Sequence, residues 1–241
     1  MRSTCGLLML AVAVAACGGG ASDEQGWTEN TEESTGADDG DSNDGMQIQG
    51  LMGTLTREDV NRGLEPRMNR FMRCFSARYG SLDVLGGHFE LAFRVAVDGS
   101  VLWVYPRRSS IGDRATERCL LEVAAATRFR PPRGNGEAEF GWPLELDAPE
   151  DVRPPLNWDS MQVSATLAEH MREMLDGCPV AGTAGFEVTA YVAPGGRVMA
   201  AGAAADTQVA PEALDCVTDM VLAWPMPDPG SYPAKVTFAV R

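Results

Sequence analysis

The chain has little of what catalysis and metal binding draw on. It holds two histidines in 241 residues and no Cys-x-x-Cys spacing. His88 and His170 lie in no ligand-like cluster, so neither a metal site nor a cofactor motif is expected. Positive charge is missing from residues 18–50, which carry nine acids and no Lys or Arg. Over the whole chain the formal charge is −14, with no basic stripe to neutralise phosphates, which argues against a nucleic-acid partner. Long apolar runs are also lacking: a bilayer crossing needs about 20 apolar residues, and the run ending at Ala16 is too short for one. A stretch such as 18–50, built from Gly, Ser, Asn and acids, cannot bury enough surface to offset its ordering entropy and is expected to be a self-repelling tether.

What is present begins with an address. Met1-Arg2, an uncharged apolar stretch and small residues up to Ala16 have the form of a secretory signal. Val14-Ala15-Ala16-Cys17, followed by Gly18-Gly19-Gly20, resembles the lipobox of bacterial lipoproteins. The resemblance implies cleavage before Cys17, a diacylglycerol on its thiol, and anchoring by several acyl chains where a single one is marginal. Residues 1–16 are then the signal peptide and 17–50 the lipidated cysteine with its acidic, disordered tether.

The remainder repeats itself. Phe89-Glu90-Leu91-Ala92-Phe93-Arg94-Val95-Ala96-Val97-Asp98-Gly99 aligns with Phe186-Glu187-Val188-Thr189-Ala190-Tyr191-Val192-Ala193-Pro194-Gly195-Gly196 at an offset of 97, and the same offset carries Cys119 onto Cys216, Phe129 onto Met226 and Pro132 onto Pro229. Each copy reads as helix, β-hairpin, helix, strand. In the first, Thr56-Arg57-Glu58-Asp59 has the form of a capping box, and Val60, Leu64, Met68, Phe71 and Phe75 follow at helical spacing, interrupted at Gly63 and Pro66. Phe89 to Val97 alternates as a half-buried strand, Asp98-Gly99 supplies a tight turn, and Val101, Trp103 and Tyr105 return. Ala115, Cys119, Val123 and Ala126 make a second helical stripe, and residues 138–146 a closing strand. In the second copy the stripe is Leu167, Met171, Met174, Leu175 and Cys178; residues 234–240 close it. The fold class is therefore α+β: two tandem small domains, 51–148 and 160–241, each with a three-stranded antiparallel sheet, joined by a Pro-rich linker over 149–159.

With Cys17 acylated, Cys74, Cys119, Cys178 and Cys216 remain in an exported chain, the usual setting for disulfides. Of three pairings the repeat selects Cys74–Cys119 and Cys178–Cys216, each tying a first helix to a second.

These features together resemble the AgmX/PglI C-terminal domain of myxobacterial envelope proteins, itself similar to the C-terminal domain of TonB-type transducers. In copy one the resemblance rests on Gly53, Leu55, Cys74-Phe75, Asp98-Gly99, Ser109-Ser110, Cys119-Leu120, Phe129, Pro131-Pro132 and Pro143. In copy two it rests on Cys178, Gly195-Gly196, Cys216-Val217, Trp224-Pro225-Met226-Pro227 and Gly230. Thr127 stands where the tryptophan usually is, and Asp206-Thr207 replaces the serine pair. The resemblance implies a role in gliding-motility or transport-associated envelope assemblies and hands over no catalytic residue.

Ser109-Ser110 has no His or acid spaced to activate it and reads as the start of the second helix, with Asp113 near the cap. Gly134-Asn135-Gly136 reads as a hairpin turn. Glu58, Asp59, Glu117 and Glu122 read as helix-surface charges, and Trp103 with Tyr105 as core or edge-strand packing. The expectation is a non-catalytic lipoprotein of the cell envelope, at the outer membrane and facing the periplasm, that binds an envelope protein, with 138–146 and 234–240 as the edges for strand addition. No small-molecule substrate is evident. One alternative is a purely structural lipoprotein whose repeats pack as a pseudo-dimer; a hydrolase or redox enzyme is the minor one.

Overall fold

The computed structural model describes residues 48–50, 53–134, 136–180 and 185–240. The lipobox with Cys17, most of the acidic segment and Asn135 lie outside them.

The chain runs β1 (Ile48–Gly50), α1 (Arg57–Leu64), α2 (Met68–Ser76), β2 (Gly87–Val95), β3 (Val101–Ser109), α3 (Arg114–Ala125), β4 (Ala138–Leu146), β5 (Leu156–Trp158), α4 (Ser164–Gly177), β6 (Phe186–Val192), β7 (Val198–Ala205), α5 (Pro211–Leu222) and β8 (Ala234–Val240). The Thr56 hydroxyl accepts from the Asp59 N–H at 3.2 Å while the Asp59 carboxylate accepts from the Thr56 N–H at 3.4 Å, the reciprocal cap that the sequence predicts for α1. Pro66 cannot donate to a continuing helix, and a 3₁₀ turn at Glu65–Arg67 separates α1 from α2.

The duplication holds at the level of single hydrogen bonds. In the first hairpin the Ala96 N–H donates to the Ser100 carbonyl at 2.8 Å and the Gly99 carbonyl accepts from the Phe129 N–H at 2.8 Å; in the second, Ala193 donates to Arg197 at 2.8 Å and Gly196 accepts from Met226 at 3.0 Å. Gly99 (φ +83°) and Gly196 (φ +79°) are required twice over: their φ is left-handed, and a Cβ would stand 2.1 Å from the carbonyl oxygen of Phe129 or Met226. Each half has an antiparallel three-stranded sheet, β4-β2-β3 and β8-β6-β7, with helices on one face.

The halves fill their cores differently. Phe71, Phe75, Phe89, Phe93 and Phe140 are buried in the first, where the Phe93 and Phe140 rings stack at 4.9 Å and Phe129 meets both edge-on. The second core is mostly Val and Ala, with Phe186, Trp224 and Phe238.

Four expectations need correction. Residues 138–146 and 234–240 are not outer strands: β1 pairs with β4 and β5 pairs with β8, giving sheet orders β1-β4-β2-β3 and β5-β8-β6-β7. Residues 48–50, assigned to the tether, and 156–158, assigned to the linker, supply these added strands. Three-residue strands are shorter than any window in which alternation can be recognised. The buried stripe of α3 is Thr116, Glu117, Leu120 and Ala124, not Ala115, Cys119, Val123 and Ala126; Ala115 and Ala126 are exposed. Finally, Ser109 ends β3 rather than starting a helix, and Asp113 is the α3 cap, accepting from the Thr116 N–H at 3.0 Å.

Candidate functional site

Both disulfides are present, Cys74–Cys119 with Cα atoms 5.6 Å apart and Cys178–Cys216 at 5.7 Å. Each ties the helix before its hairpin to the helix after it. Such bonds are those of a chain folded outside the cytoplasm. Among the described residues no helix is long and apolar enough to cross a membrane.

The densest polar constellation lies between the halves. Strand β3 and helix α3 of the first half pack on β7 of the second. The helix face opposite the α3 disulfide turns Arg114 and Glu117 into this seam, at 8 % and 0 % exposure. Glu117 accepts from the Ser109 hydroxyl at 2.6 Å and from the Ala203 backbone N–H of β7 at 3.1 Å. Gly202 makes this approach possible, since a Cβ there would lie 2.3 Å from Glu117 Oε1 and 2.9 Å from the Asp113 nitrogen. Arg114 donates through Nε to Asp215 at 2.7 Å and through Nη2 to the Pro211 carbonyl at 3.2 Å. Among the described residues its buried Nη1 has no hydrogen-bond partner, and it stands 3.8 Å from Glu117. Arg118 also donates to Asp215, at 3.0 Å. Arg78 grips Asp113 with two bonds of 2.9 Å.

These surroundings set the charges. Burial pushes the Glu117 carboxyl up to about 7, against the opposing pull of the Ser109 hydroxyl, Arg114 and the Ala203 N–H. At Asp215 partial burial acts upward, but the Arg118 and Arg114 bonds outweigh it and hold the carboxyl below its usual range. Further along the seam the Thr189 hydroxyl donates to the Ser109 carbonyl at 3.2 Å, and the buried Tyr191 hydroxyl donates to the Gly86 carbonyl at 3.1 Å. Gly112, at φ +70°, lets the chains close in: a Cβ there would meet Thr189 Cγ2 at 2.8 Å.

Helices α3 and α5 meet through repeat-equivalent positions. Arg114 touches Pro211, its counterpart at the offset of 97, and Arg118 touches Asp215, its own counterpart. That pairing of like positions is what a two-fold dimer contact produces. The strand part of the seam is not symmetric, because the counterpart of Glu117 is Leu214, which lies in the second core.

Sequence reasoning placed Glu117 and Asp59 on helix surfaces, yet both are buried, Asp59 at 6 % exposure with Arg130 and Arg133 beside it. The spacing of Glu117 from the Arg114 side chain on the same helix gave no hint of burial, because the partner surface comes from residues 86 and more positions further along. Glu58 and Glu122 are exposed, as expected. Ser109 has a carboxylate partner after all, and it is fully buried. Ser110 is occupied in accepting from the His88 N–H at 2.9 Å. His88 faces Glu145 at 2.5 Å, while His170 stacks on Trp224 at 5.7 Å; among the described residues no three potential ligands gather into a metal site. Trp103 and Tyr105 are half-buried on β3 with ring centroids 5.4 Å apart.

No family model, no curated protein and no solved structure matches this chain.

Proposed function

We propose that this is a non-catalytic lipoprotein of the bacterial cell envelope, anchored through Cys17, whose two AgmX/PglI-like repeats act as one fused unit that binds an envelope protein. The observation that carries this reading is the seam itself. Glu117 and Arg114, buried groups able to do chemistry, hold one half on the other, while the Ser109 hydroxyl is bound to Glu117 and Asp113 caps α3. Strand addition at β4 is disfavoured, because β1 covers Ala138–Phe140 and Pro143 has no N–H to offer beyond it. On β8 the parallel partner β5 reaches only residues 234–236, so among the described residues no strand pairs with Thr237 to Val240 on that side, and this is where a partner strand would add.

A photoactivatable crosslinker at exposed Ala239 in intact cells should give one discrete adduct, absent when the crosslinker sits at Leu222 on α5. Equal or absent adducts at both positions would remove the binding role. Mass analysis of the mature N-terminus should find Cys17 carrying diacylglycerol, and an unmodified cysteine would remove the anchor. The strands added beside β4 and β8 and the partly two-fold contact between α3 and α5 favour a second reading, a structural envelope lipoprotein whose repeats are a pseudo-dimer and nothing more.

A further inference from the structure

The chain contains a single lysine, Lys235, against nineteen arginines. It stands on β8, on the face of the second sheet away from the helices, between Tyr191 and Asn157 in the strand register. Its ammonium donates to the Gly86 carbonyl at 2.6 Å and lies 5.5 Å from the centre of the Tyr191 ring. Among the described residues no carboxylate forms an ion pair with it; Glu145, whose charge bears on it, is turned to His88. Burial pulls the ammonium down to about 8, so it remains mostly charged at neutral pH while poorly solvated.

This ammonium lines a cleft of about 490 Å³, whose walls include Val84, Leu146, Ala148, Pro149, Val152 and Pro155. That volume falls in the range of small-molecule sites, which are apolar with a few polar groups that fix orientation. The wall formed by residues 149–155 is held in place. Leu156 donates to the Pro233 carbonyl at 2.9 Å, Tyr232 donates to the Arg153 carbonyl, and the Arg153 guanidinium lies over the Tyr232 ring at 4.6 Å. Asp147 and Glu150 also line the cleft; their charge opposes every anion and a polyanion most, so the ligand that direct contact with the ammonium can hold is one with a single carboxylate and an apolar body taken up by the walls.

We propose that this cleft is a binding site for a small apolar monocarboxylate, whose carboxylate takes the free ammonium protons of Lys235. Only non-covalent contacts are formed, and the arginines elsewhere in the chain do not substitute for the compact ammonium at this position.

The single lysine makes the test direct. The full chain is treated with a limiting amine-acylating reagent, and the modification of Lys235 is followed by peptide mapping, which separates it from the α-amine. Octanoate at millimolar concentration should slow acylation of Lys235 by about fivefold or more, whereas octanol and inorganic phosphate should leave the rate unchanged. Equal protection by octanol and octanoate, protection by phosphate, or no protection by octanoate would each overturn the proposal. So would protection only by a short apolar peptide with a free C-terminal carboxylate. In calorimetric titration Lys235→Met should weaken octanoate binding at least tenfold with its thermal melting kept, and undiminished binding would overturn the proposal. Should that variant not fold, the acylation rates of the native chain decide alone.

Discussion

The two sheets share a strand order and differ in what they show on the face away from their helices. On the first sheet that face is laced with charge across neighbouring strands: Arg94 meets Glu137 at 2.5 Å and Glu139 at 3.4 Å, and Arg107 meets Glu90 at 3.4 Å. On the second sheet the corresponding face carries Thr189, Tyr191, Ala200, Gly202 and Ala204, all buried. Tyr191 and Ala200 even belong to the first core. Side-chain size and charge, rather than topology, decided which face of a duplicated sheet would be covered. Small residues admit another backbone, whereas paired charges keep water.

The contrast can be broken at its tightest point. Gly202→Val should cost about 4 kcal/mol or more, since its side chain has to displace the buried Glu117 carboxylate and the Asp113 backbone. Gly141→Ala, on the outer face of the first sheet, meets only side-chain tips at 3.2 Å and 3.4 Å and should stay within about 1 kcal/mol. Denaturant unfolding of both variants checks the pair, and similar losses would erase the distinction between the faces.

Replacing Cys178 and Cys216 together by alanine opens a closure of 38 residues, that of Cys74 and Cys119 one of 45, and each should cost about 4 kcal/mol. Because Tyr191 and Ala200 are part of the first core, amide hydrogen exchange should then rise in both halves after loss of the second disulfide. A rise confined to residues 186–240 would show that the halves unfold separately.

The buried carboxylate predicts a pH dependence. The folded chain keeps a proton on Glu117 up to about 7, whereas an unfolded glutamate releases it near 4.5. Folded chains therefore bind more protons between these values, and this group's effect is that stability falls as pH rises through the window and is level above it. Glu117→Gln removes that slope. Its advantage over the native chain should be near zero below pH 4.5 and reach about 3 kcal/mol above pH 7, as chemical melts at several pH values can show. A constant difference across pH would mean that Glu117 is ionised throughout. The smallest effect is expected on the charged face, where Arg94→Met should change stability by less than about 1 kcal/mol and less still in high salt. A loss of several kcal/mol would show that face to be as consequential as the seam.

Much of the fold was legible because two copies constrained each other. The capping box at Thr56, the break at Pro66, the hairpin glycines and the cysteine pairing all involve residues close in sequence or matched across the offset. Val198 to Ala205 offered no alternation to read, since both faces carry alanine or glycine, and so nothing marked the strand as buried on both sides. The rotation of α3 was missed for a related reason. Cys119 has the spacing of a core stripe, but it is only partly buried against the core; Glu117 points inward because its partners are supplied by the other half and by the β3 end, and Thr116 because its hydroxyl is satisfied by the Asp113 cap. The cleft at Lys235 was invisible because its walls come from residues 84–87, 146–157 and 235.

The contact of Arg118 with Asp215 has a consequence for how the molecule chooses company. Two first halves docked through the same helices would set arginine against arginine, and two second halves aspartate against aspartate; each like-charged encounter is penalised. Only a first half with a second half satisfies the pair, so the unlike residues at this one position make the contact a lock between unlike copies.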